Sequence, residues 1–92
     1  LNESAAETTG LQALAWLAAN DDLLPVFMGA TGVSVDDLKA NAADPDFLGS
    51  VLDFLLMDDA WIVACCEALN LPYDSLMRAR AALPGGQQPH WT

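Results

Sequence analysis

Ninety-two residues and 9.8 kDa allow one small domain, without room for a second core. The chain carries 3 Lys+Arg against 13 Asp+Glu, a formal charge of -10, yet 53% of it is hydrophobic. So apolar a chain is not intrinsically disordered, and so acidic a chain lacks the clustered cations that nucleic-acid phosphates require. Sixteen Ala and fifteen Leu against six Val and Ile favour helix, because β-branched side chains lose more rotamer freedom there.

In chain order, Ser4-Ala-Ala-Glu7 reads as a capping box opening a first helix to about Ala19, with Leu11, Leu14, Leu17 and Ala18 on one face. Asp21-Asp22 is expected to cap a short second helix that tolerates Pro25 in its first turn and stops at Gly32. Ser34-Val-Asp-Asp37 caps a third, to about Ala42. Asp44-Pro45 supplies an N-cap and a proline at the first helical position of a fourth, which runs to about Met57. Asp58-Asp59 caps a fifth ending near Asn70, and Pro72 opens a sixth that Leu83-Pro84-Gly85-Gly86 ends. The fourth and fifth helices are apolar on more than one face and are expected to be central.

The fold class is therefore all-α, a compact bundle of five or six short helices over residues 1–84, followed by a polar tail at 85–92. A shift of 38 residues places Leu14, Leu17, Asp21, Asp36 and Leu38 on Leu52, Leu55, Asp59, Asp74 and Leu76, and Gly32 on Asn70. That register suggests a duplicated three-helix unit about a pseudo-two-fold axis; chance matching among Ala/Leu-rich helices is the alternative.

Ten of the thirteen acids fall at or within a turn of an expected helix start, where carboxylates bond backbone N–H groups and meet the positive end of the helix dipole. Asp53, Glu67 and Glu3 lie outside that account. Asp53 is mid-helix and is expected to face solvent beside Gly49 and Ser50; buried, it would be a site candidate. The other reading of the charge is an acidic decoy or regulator that docks on a basic protein surface.

Catalytic parts are few. One His and two adjacent Cys do not make a closed zinc site, and the Asp pairs lack the alternating ligands of a calcium loop. Cys65 and Cys66 read as small core residues rather than reactive thiols, and no disulfide framework is available. No glycine cluster opens a helix as a phosphate loop does. The expectation is no enzyme, no cofactor, no metal and no nucleic-acid or membrane partner. No uncharged apolar run reaches the roughly 18 residues of a membrane span, and the first residues lack a signal-peptide layout; with two adjacent cysteines and no partners for them, a reducing cytoplasm is the expected compartment. The aromatic residues point instead to a protein partner or self-association. Trp61, His90 and Trp91 are the candidate contact residues, with an apolar patch around Trp61, Trp91 or Trp16 and with the tail docked through Trp91.

The run Asp44-Pro-Asp-Phe-Leu-Gly-Ser-Val-Leu-Asp-Phe-Leu-Leu-Met-Asp-Asp59, with Arg78-Ala-Arg-Ala-Ala-Leu-Pro-Gly-Gly86, resembles a small alphaproteobacterial family classed as a domain of unknown function. The likeness covers about residues 10 to 92. It implies a bacterial cytoplasmic origin and a short all-helical fold, and transfers no activity, cofactor or catalytic residue.

Overall fold

A computed structural model describes residues 2–84, which form six α-helices and no strand. These are α1 (Glu3–Ala18), α2 (Leu24–Thr31), α3 (Val35–Ala40), α4 (Pro45–Leu55), α5 (Asp59–Leu69) and α6 (Ser75–Ala82). The chain is an all-α bundle, as its composition implies.

Most of the ends follow local chemistry. Ser34 and Asp37 form the expected capping box: Asp37 N–H donates to Ser34 Oγ (3.2 Å) and Ser34 N–H to Asp37 Oδ2 (2.9 Å). Asp44 caps α4 with Pro45 at its first position, and Asp58 caps α5 by accepting the Ala60 N–H at 2.8 Å. Gly32 (φ 78) and Asn70 (φ 60) end α2 and α5 in left-handed backbone.

Three starts differ from expectation. The α1 cap is Asn2, whose Oδ1 accepts the Ala5 N–H at 2.7 Å, so the Ser4–Glu7 box is not formed and the helix begins one residue before Ser4. Ahead of α2 the acceptor is Asn20, bonded by the N–H groups of Asp22 and Leu23, and the two aspartates cap nothing. The sixth helix begins at Ser75 rather than Pro72, because residues 73–74 make a turn first.

Helices α1, α4, α5 and α6 each pack on the other three. The buried face of α1 is Ala6, Thr9, Gly10, Ala13, Leu14 and Leu17, while Leu11 and Ala18 are exposed. Its small residues allow close approach: a Cβ on Gly10 would stand 3.1 Å from Leu48 Cβ of α4. Both apolar stripes of α4 are covered, as expected of a central helix. Helix α5 is not central in the same sense, since only Cys65 and Cys66 are fully buried and Val63 is exposed. Helices α2 and α3 join the bundle mainly through Phe27 and Leu38, the one buried residue of each. Phe27 lies edge-on to Phe54 (5.1 Å) and Phe47 (6.4 Å), contacts that favour T-shaped ring pairs.

Two exposed glycines of similar setting should respond oppositely to alanine. Gly29 lies inside α2 and Gly32 ends it, and an added Cβ meets no atom within 4 Å at either. Gly29→Ala should stabilise by about 0.5–1 kcal/mol through helix propensity, while Gly32→Ala should destabilise by about 1–2 kcal/mol through its positive φ. Urea midpoints of the two variants check the signs. At Gly10 the constraint is contact, so Gly10→Val should cost about 1–3 kcal/mol by the same measurement.

Candidate functional site

The C-terminal end of α1, the turn before α2 and the first two turns of α5 enclose an open cleft of about 300 Å³ lined by Trp16, Asn20, Asp22, Leu23, Val26, Trp61 and Ala64. Each wall has a local cause. The Asn20 carboxamide closes the turn and brings Leu23 inward, leaving Val26 on the outer face of α2 at 48% exposure. Trp61 and Ala64, three apart on α5, present one face to the cleft. Trp61 is half-buried and stacks on Phe54 with ring centroids 4.8 Å apart and planes at 22°. Phe54 in turn meets Phe27, so the floor of the cleft is continuous with the core. The volume lies at the bottom of the range for small-molecule sites, and suits one or two large side chains of a partner.

The structure thus brings Trp16 and Trp61 to one cleft. His90 and Trp91, the other expected contact residues, and the docked tail lie outside the described residues. Leu23 and Val26 carry no signal beyond ordinary apolar patterning, and their contribution follows from the Asn20 turn.

Asp53 faces solvent, as expected, with its side chain 57% exposed; it is not a buried carboxylate. Its Oδ1 accepts the Arg80 Nε–H at 2.6 Å, and Arg80 also donates from Nη1 to the Pro84 carbonyl at 3.0 Å. The guanidinium lies over Gly49, where a Cβ would come within 2.9 Å of Nη1. This is a structural tie between α4 and the end of α6, over 27 residues of sequence. Next to it a second open cleft, lined by Ala30, Thr31, Ser50, Asp53, Phe54 and Met57, leaves Met57 75% exposed.

Both thiols are buried and free. Burial, with the Cys66 neighbour second, pushes the Cys65 thiol up to about 12, and burial likewise raises Cys66. Neither is a ready thiolate at neutral pH. Tyr73 O–H donates to Glu67 Oε2 at 2.8 Å, and that bond raises the phenol above its ordinary value. Among the described residues no three His, Cys, Asp or Glu side chains are grouped to hold a metal.

A family model described as protein of unknown function (DUF3572) matches residues 3–86, a span that contains all six helices. The chain belongs to the DUF3572 family. The match begins near the start of α1, earlier than the resemblance read from residue 10 onward. No curated protein and no solved structure matches this DUF3572 chain. No helix among its described residues is long and apolar enough to cross a membrane.

Because both thiols are buried, the native chain should resist iodoacetamide at pH 8 and react at both cysteines once unfolded in urea, which mass spectrometry of the alkylated protein checks. Folding stability should also fall as pH rises from 9.0 towards about 12, because the unfolded thiols deprotonate first.

Proposed function

We propose that the protein is a non-catalytic interaction module that binds a protein partner through the cleft formed by Trp16, Leu23, Val26 and Trp61. The observation that supports this reading is two half-buried tryptophans from different helices meeting at one open apolar cleft. Tryptophans in such settings are frequent energetic anchors of protein contacts. Both thiols are buried, and Asp53 lies away from that cleft, exposed and paired with Arg80. Two unpaired, reduced cysteines suit a cytoplasmic setting, which is the compartment we propose, in a bacterial cell.

The acidic-decoy reading has less support, because Asp37, Asp44 and Asp58 accept backbone N–H bonds at helix starts. Three of the thirteen acids are thereby tied to building the fold.

Affinity capture from the source cell's lysate should recover a partner that is lost with Val26→Asn/Ala64→Gln. Both positions are exposed, so the melting temperature of this double variant should stay close to that of the parent. Trp61→Ala should lose the same partner, and deletion of residues 87–92 tests the tail separately. Capture that is indifferent to both cleft variants would refute the reading; capture lost steeply on raising salt but indifferent to the cleft would favour the decoy.

A further inference from the structure

The tryptophan cleft has one carboxylate in its lining and, among the described residues, no cation. Asp22 lines it directly, with Asp21 beside it in the turn. Neither carboxylate accepts a hydrogen bond among the described residues, because Asn20 takes the N–H groups of that turn. Helix α1 ends at this cleft with no basic residue in its last turn, so a cation placed there meets the negative end of its dipole. The three cations lie elsewhere: Lys39 on α3, and Arg78 and Arg80 on α6, with Arg80 engaged by Asp53.

We infer that the occupant of the cleft is a basic amphipathic segment of a partner protein, with a large apolar side chain between Trp16 and Trp61 and Lys or Arg flanking it against Asp22 and the carbonyl end of α1. This rests on the interaction-module reading and adds the chemistry of the partner. Charge complementarity selects the occupant. A second copy would bring the same carboxylate and another -10 of formal charge to the contact, and an anionic lipid surface would be repelled by the same charge. A basic segment lowers that repulsion, supplies the cations missing at the α1 terminus, and matches an apolar cleft sized for a side chain.

The test uses the full chain, 15N-labelled, and two synthetic amphipathic helical peptides with the same leucine face, one flanked by lysine and one by glutamate. The Trp16 and Trp61 indole signals are assigned with Trp16→Phe and Trp61→Phe. The lysine peptide should shift both indoles and bind about ten-fold or more tighter than the glutamate peptide at low salt, with the preference shrinking as salt rises. Asp22→Asn should erode that preference several-fold while leaving the fold intact, because Asp22 is exposed and its carboxylate caps no helix. Equal affinity for the two peptides, or shifts confined to other surfaces, would overturn the inference. If a partner captured through the cleft contacts it with a neutral or acidic segment, the inference fails and the interaction module stands. If cleft variants change neither capture nor peptide binding, both fail.

Discussion

Helix α1 lies against α4 at a distance that a side chain at residue 10 would obstruct, and the other packing relations depend on that approach. Ala6, Gly10 and Ala13 form a narrow seam that lets the α1 backbone come down onto Leu48. With that seam closed, Leu14 and Leu17 reach the same core as Leu52 and Leu55, and α6 can lie against both helices at once. A bulkier residue in the seam would force α1 outward and separate all of these contacts together. Small domains have little apolar area to spare, so a close helix pair at the centre carries a large share of their cohesion.

The charge has two physical roles in the structure. Part of it builds helix ends: Asp37, Asp44 and Asp58 satisfy backbone N–H groups that would otherwise lack partners. Another part is tied by side chains, Asp53 to Arg80 and Glu67 to Tyr73. Asp21 and Asp22 belong to neither group. They were expected to cap α2; the Asn20 carboxamide instead takes the Asp22 and Leu23 N–H groups of the preceding turn, α2 has no side-chain cap, and Asp22 is left in the lining of the cleft.

Helix existence and most helix ends were legible in the residues, because caps, prolines and left-handed termini act locally. Gly32 and Asn70 end their helices where their backbone preferences place them, and Asp44-Pro45 opens α4 as read. What the chain did not disclose is relational. The inward face of α1 was assigned from its leucines, whereas the packed seam uses alanine and glycine, whose burial gives almost no hydrophobic signal. Helix α5 looked central because it is apolar all round, but the side carrying Val63 and Ala64 is exposed. The Arg80 tie to Asp53 joins positions 27 apart and has no sequence mark at all. For the candidate site, Trp16 and Trp61 were each visible as aromatic residues, while their meeting depends on how α1 packs against α5.

The stacking of Trp61 on Phe54, with Phe27 edge-on behind it, makes the floor of the cleft part of the same packed lattice as the core. Side chains locked in this way have already lost their rotamer freedom when the domain folds. A receptor of this kind is preorganised: the ordering cost of association falls on whatever enters, and a stiff, prefolded entrant would be favoured over a floppy one of the same composition.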